Sequence, residues 1–283
     1  MKIYQSNEIK NIAVMGCSGS GKTTLVEAML YESGVIKRRG TIDAKNTVCD
    51  YFPVEKEYGY SVFSTLASFE WKDKMMNFID CPGSDDFVSN VVSALTVTDM
   101  ALMLINAANG VEVGTINQFR YIENLKKPLC FLINQIDHEK ADYENTLMSL
   151  KEIYGGKVIP IQYPIGIGAS FSAIVDVLKQ KMYKFKEGAA TPEILEIPAS
   201  EKEHADKLYK ALLEVAAEND EKLMEKYFEQ GTLSEDEMRA GIQVGMINRD
   251  IYPVFVASAE KNWAFHRIMN FLNIAAPAPN QMP

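Results

Sequence analysis

Four times along the chain an apolar run stops abruptly at small and polar residues. IAVM at 12–15 runs into GCSGSGKTTL, KMMNFID at 74–80 into CPG, PLCFLIN at 128–134 into QID, and YPVFVA at 252–257 into SAE. Short, nearly continuous apolar runs bounded by turn residues are the pattern of strands buried on both faces, which is the habit of parallel sheets. The first run is followed by LVEAMLYES, a helical pattern. The expected core is therefore α/β, a mostly parallel sheet with helices on both faces. The stretch from Asn134 to Ser258 is far longer than one helix and one strand require, so something of domain scale is inserted there. Within it the pattern predicts a helix over 171–183, a turn near Thr191-Pro192, long helices around 201–218 and 220–229, and a further one starting at Ser234, where Glu237 three residues on completes a capping box.

The residues at the ends of the four runs carry the chemistry. Gly16, four intervening residues and Gly21-Lys22-Thr23 form a phosphate-binding pattern in its required setting, strand before and helix after. Gly16, Ser18, Gly19, Ser20, Gly21 and Thr24 form the phosphate-binding set with Lys22 and Thr23, and the glycines let backbone N–H groups wrap phosphates. Lys22 balances their charge, Thr23 offers a hydroxyl to Mg2+, and the helix N-terminus adds its dipole. Asp80, at the end of the second run, suits water-mediated Mg2+ binding, and Gly83 lets a backbone N–H approach a γ-phosphate. Asn134-Gln135-Ile136-Asp137 puts an aspartate where it can accept from two guanine donors that adenine lacks, which selects GTP and GDP. Ser258-Ala259 would bring a backbone N–H to guanine O6. Each short motif is common alone; in this order, at four strand ends, they coincide where ligands bind in open α/β sheets.

Composition narrows the setting. The chain has 283 residues, 47% hydrophobic and 24% charged, with a net charge of −9. That is globular, with an average surface that repels nucleic acid; a local patch at Lys37, Arg38 and Arg39 is either an RNA contact or a solvated loop. No apolar run has the length of a membrane span, and MKIYQSNEIKN is too polar for a signal peptide. The four scattered cysteines, Cys17, Cys49, Cys81 and Cys130, fit reduced thiols in a cytoplasm, and three histidines make a zinc site a poor expectation.

With these motifs the sequence resembles the translational GTPases, specifically the guanine-nucleotide domain of bacterial elongation factor G, over nearly its whole length. GTIDAKNTVCDYFPVEKEYGYSV at 40–62 is similar to the family's first switch, with Tyr58-Gly59-Tyr60-Ser61 at its usual Arg-Gly-Ile-Thr; Ser61 then becomes a third Mg2+ ligand beside Thr23 and Asp80. The resemblance implies a P-loop NTPase fold with residues 1–158 and 252–283 forming the nucleotide domain and an inserted α+β lobe at 159–251. It also implies a monomeric, cytoplasmic factor that works on the ribosome, with ribosomal stalk proteins docking on the lobe. NIAAPAPNQMP at the end reads as a linker to further domains of a longer factor.

The departures bear on hydrolysis. The histidine that usually follows DxxG and orients the attacking water is Ser84, whose hydroxyl lacks imidazole's reach and its cationic form. Gly19 stands where an aspartate usually binds a monovalent cation, and Ser18 and Tyr60 replace the flanking apolar pair. Gln135 replaces a lysine that packs on the guanine, which predicts modestly weaker binding. Asp85 and Asp86 could act as bases but suit a helix start better. His138, His204 and His266 are expected far from this loop. The sequence thus predicts a GTP binder with impaired hydrolysis acting in translocation. Its alternatives are a ribosomal-protection or rescue GTPase and a GTP-sensing module that cycles by exchange.

Overall fold

The computed structural model describes residues 2–189 and 191–282. The chain runs β1 (Ile9–Met15), α1 (Lys22–Glu32), α2 (Pro53–Tyr58), β2 (Thr65–Trp71), β3 (Lys74–Asp80), α3 (Val88–Val97), β4 (Met100–Asn106), α4 (Val113–Asn124), β5 (Leu129–Asn134) and α5 (Tyr143–Tyr154). There follow β6 (Val158–Pro160), β7 (Gln162–Ile165), β8 (Ala173–Asp176), β9 (Lys181–Lys184), β10 (Glu193–Leu195), α6 (Ala199–Glu218), α7 (Glu221–Gln230), α8 (Glu235–Asn248), β11 (Tyr252–Val256) and α9 (Phe265–Ala275).

Among the described residues the main sheet has the order β2-β3-β1-β4-β5-β11-β6. Only β2 runs against its neighbour; the other pairings are parallel. The alternation of burial follows this position. β2, at the edge, alternates exposed and buried residues, whereas every residue of β5 and β11 is buried. Met15, Phe78, Met103, Phe131 and Phe255 fill the core between sheet and helices with essentially no exposure. Parallel pairing sends the C-terminal ends of β1, β3, β4, β5 and β11 to one edge, and the motif residues lie just beyond it.

A separate antiparallel sheet, β10-β9-β8-β7, and the helices α6 to α8 occupy the chain between β6 and β11. Here the expected helix over 171–183 is instead the pair β8 and β9. Phe171, Ile174, Val175, Leu178 and Met182 do fall at helical spacing. However, Ile174, Val175 and Val177 are β-branched, and all four residues of β8 are buried, so the strand shows no alternation to read. The helices around 201–218 and 220–229 and the capped one from Ser234 are present. Ser234 Oγ accepts from Glu237 N at 3.3 Å while the Glu237 carboxylate accepts from Ser234 N at 2.9 Å.

The small sheet is bound to helix α9 by a buried ion pair. Asp176, at the end of β8 and 1% exposed, accepts from Nε of Arg267 on α9 at 2.8 Å and from its terminal nitrogen as well. The same guanidinium lies 5.0 Å over the Tyr183 ring of β9.

Candidate functional site

Gly16 leaves β1 with φ 135°, and a Cβ there would lie 2.4 Å from the Leu104 carbonyl oxygen of β4, so only glycine lets the loop turn this close to the sheet. Gly21 caps α1 at φ 88°, and its missing Cβ leaves room for the Asn134 amide. Asn134, fully buried at the end of β5, donates to Ser20 O at 2.9 Å and accepts from Ala259 N at 3.0 Å. One side chain thus braces the phosphate loop against the loop after β11. Of the Ser258-Ala259 segment, expected to bring a backbone N–H to guanine O6, the Ala259 N–H is held by Asn134 here. Gln135, at φ 60°, donates from Nε2 to Gly19 O at 3.0 Å, so a neutral amide in the lysine's place ties the loop after β5 to the phosphate loop. Asp137 is half-buried on the same turn, and Ser258 Oγ accepts from Lys261 N at 3.1 Å.

At the phosphate end Lys22 is buried, donates to Cys17 O at 3.0 Å, and is pulled below its ordinary pKa by burial, against the attraction of Asp80. Gly83 packs so tightly on the loop that a Cβ would come within 2.5 Å of both Lys22 Nζ and Ser18 N. Thr23 Oγ1 donates to Asp80 Oδ2 at 2.7 Å and lies 3.2 Å from Ser61 Oγ, which donates to Asp50 at 2.7 Å. Asp80 Oδ1 is buried with no hydrogen-bond partner. Burial pushes the Asp80 carboxyl up to about 7, with Lys22 drawing it back. An orphaned carboxylate oxygen among hydroxyls and a second carboxylate is an all-oxygen donor set, which fits a hard cation such as Mg2+. Thr23, Ser61 and Asp80 would hold it, with Asp50 behind Ser61.

Ser84 lies at the lip of the same cavity, with Ser18, Gly19, Thr24 and Tyr60. Its hydroxyl is turned onto its own loop: it accepts from Asp86 N at 3.4 Å and lies 3.3 Å from the Asp86 carboxylate. Asp85 accepts from Asn117 of α4 at 3.1 Å, and Tyr60 stacks on Phe87. Gly19 has φ 78° and open space where a Cβ would point. The three histidines are elsewhere: His138 accepts from Lys140 N, His204 packs edge-on to Tyr163, and His266 pairs with Glu32 at 2.8 Å.

Three contributors have no place in the motifs. Gln118 of α4, 1% exposed, accepts from Gly16 N at 2.8 Å and clasps the start of the phosphate loop. Asp50 orients Ser61. Glu55, also 1% exposed, accepts from Val62 N and Phe63 N at 3.0 Å and fixes the backbone leaving Ser61. Gln118 alone left a signal, a polar residue on the stripe of α4 that carries Thr115, Phe119 and Ile122 into the core.

Comparison with known proteins agrees with this geometry. The elongation factor Tu GTP binding domain family matches residues 7–278. An elongation factor G-like protein of Thermotoga maritima is 33% identical over 97% of this chain and 39% of its own length, and elongation factor G of Salinibacter ruber is 32% identical over 99% and 40%. A crystal structure of a protein from Thermus thermophilus superposes with a TM-score of 0.91 at 30% identity, covering 97% of this chain and 41% of that one. The chain spans about two-fifths of the length of the relatives it matches. No helix among the described residues is long and apolar enough to cross a membrane. The strand-end motifs, the sheet that gathers them and these likenesses agree: the chain belongs to the elongation factor Tu GTP binding domain family.

Proposed function

We propose that this chain is the nucleotide switch of an elongation factor G-like factor that acts on the ribosome in translocation, binding GTP and GDP with Mg2+ but hydrolysing GTP slowly. It would work as a monomer in the cytoplasm, with the helices α6 to α8 offering ribosomal stalk proteins a surface on which Phe228 is 79% exposed. Asp137 would select guanine, while the loop N–H groups and Lys22 hold the phosphates. Bound Mg2+ would neutralise phosphate charge during the transfer to water.

The observation that carries the hydrolysis reading is Ser84. Phosphoryl transfer to water depends on positioning and on charge stabilisation. Lys22, Thr23 and Asp80 retain the second. The residue in position for the first is a short hydroxyl already engaged with Asp86. Loss of such a group costs about 10²–10⁴ in rate. GTP binding could still bias the segment around Ser61, which touches Thr23, with release by exchange.

The test is ribosome-stimulated GTP hydrolysis by the full-length factor. Ser84→His should raise the rate in part, and Ser84→His with Gly19→Asp should raise it further. Turnover by the unmodified factor at the pace of an ordinary elongation factor would overturn slow hydrolysis.

A further inference from the structure

The basic triplet Lys37-Arg38-Arg39 is divided by the fold. Lys37 and Arg38 are exposed, while Arg39 turns inward and donates to two backbone carbonyls of the loop after β11, Ala259 O at 2.7 Å and Glu260 O at 3.1 Å. Those carbonyls follow directly on Ser258, in the loop that Asn134 braces.

What Arg39 ties down is a small closed unit. Between Gly40 and Val48 the chain bonds to itself: Thr41 N to Asn46 Oδ1 at 2.8 Å, Ala44 N to Thr41 Oγ1 at 3.1 Å, and Lys45 N to Ile42 O at 2.9 Å. Gly40 is the closing point, since a Cβ there would lie 2.4 Å from Asn46 O. Both feet of this arch stand on one carboxylate. Glu27 of α1, 1% exposed, accepts from Gly40 N at 2.7 Å with one oxygen and from Val48 N at 2.8 Å with the other. The arch roofs the nucleotide cleft. Ile42 lines the phosphate cavity beside Lys22 and Ser61, and also the adjoining cleft of about 380 Å³ bounded by Gly21, Thr24, Gln135 and Ala259. Arg39 and Glu260 close the base end of that cleft.

We propose that residues 40–48 are a preformed arch hinged on Glu27, and that Arg39 is the latch joining it to the base loop, so that Arg39 sets how fast bound guanine nucleotide leaves. A unit bonded internally moves as a whole, and a nucleotide whose base enters beneath it leaves when the arch lifts. The guanidinium presents a planar fork of donors, so two carbonyls can be held together, and a lysine ammonium would hold them less well. Arg39 touches no reacting atom; it is a positioning residue. The inference rests on the guanine-nucleotide reading of the cleft.

The experiment measures release of fluorescent GDP from the 283-residue chain with Mg2+, chased by excess unlabelled GDP. Arg39→Ala should release it roughly tenfold faster or more, as expected for losing charge-assisted hydrogen bonds, with Arg39→Lys between the two. Preference for guanine over adenine, set by Asp137, should not change. Trypsin should cut the GDP-bound alanine variant at Lys45 faster than the unmodified protein. A release rate within about twofold of the unmodified chain in both variants, too small for a lost charge-assisted hydrogen bond, overturns the latch. So does faster release with no faster cutting at Lys45, which would mean that the arch does not lift when Arg39 is lost. If the unmodified chain binds no guanine nucleotide, the reading of the cleft fails and the latch falls with it.

Discussion

Single side chains here do their work through the backbone of a distant loop. Asn134 and Gln135 each hold one end of the nucleotide cleft to the other, and Asn134 does so from complete burial. The Gln135 amide meets Gly19 O, so it ties the loop after β5 to the phosphate loop and carries no charge to the base. Base choice should therefore depend on Asp137. Asp137→Asn should move preference from guanine toward xanthine nucleotides, because the amide can donate where the carboxylate accepted. Competition of fluorescent GDP by XTP and GTP measures this, and ATP should compete poorly against the unmodified chain.

Among elements, the decisive connection is between α9 and the small sheet. Asp176 is buried with its charge matched by Arg267, and it also accepts from Lys179 N at 2.9 Å. Removing one member of such a pair leaves an uncompensated charge out of water, at a cost of about 3–5 kcal/mol. Arg267→Leu should lower the unfolding free energy measured in urea by that order. Arg267→Leu with Asp176→Leu should recover part of it, since two apolar side chains need no partner. Full recovery by the double variant would mean the pair contributes no net stability; no loss in the single variant would mean that Asp176 finds another donor. α4 connects elements in the same way, reaching Gly16 through Gln118 and Asp85 through Asn117.

For the molecule as a whole, the main sheet and its flanking helices enclose one continuous apolar core that extends into the small sheet through Phe171, Ile174 and Val175. Such a core should let the chain melt cooperatively. Ligand that binds only the folded state should then stabilise it: about 2.7 kcal/mol at 100 times Kd. For a chain of this size that is roughly 4–5 °C in Tm. GDP with Mg2+ should give this shift in a thermal melt, and ADP at equal concentration should not. Equal shifts with both nucleotides would contradict guanine selection.

The nucleotide side of the site was legible in the sequence because each motif is local: an apolar run ends, and the next few residues carry the ligand chemistry. Gly16 to Thr24, Asp80 with Gly83, and Asn134 with Asp137 need only their own strand to be identified. Tertiary structure decided what depends on two distant segments at once. Glu27 feeds both ends of the arch, Arg39 crosses to a loop more than two hundred residues away, and Gln118 meets Gly16 from another helix. A polar residue's partner is not encoded in its neighbours, so only the packed fold separates Arg39, spent on two carbonyls, from Arg38 in solvent. The small sheet eluded the pattern for a related reason. Burial on both faces erases the alternation that marks a strand, and what remained of the spacing at 171–183 matched a helix.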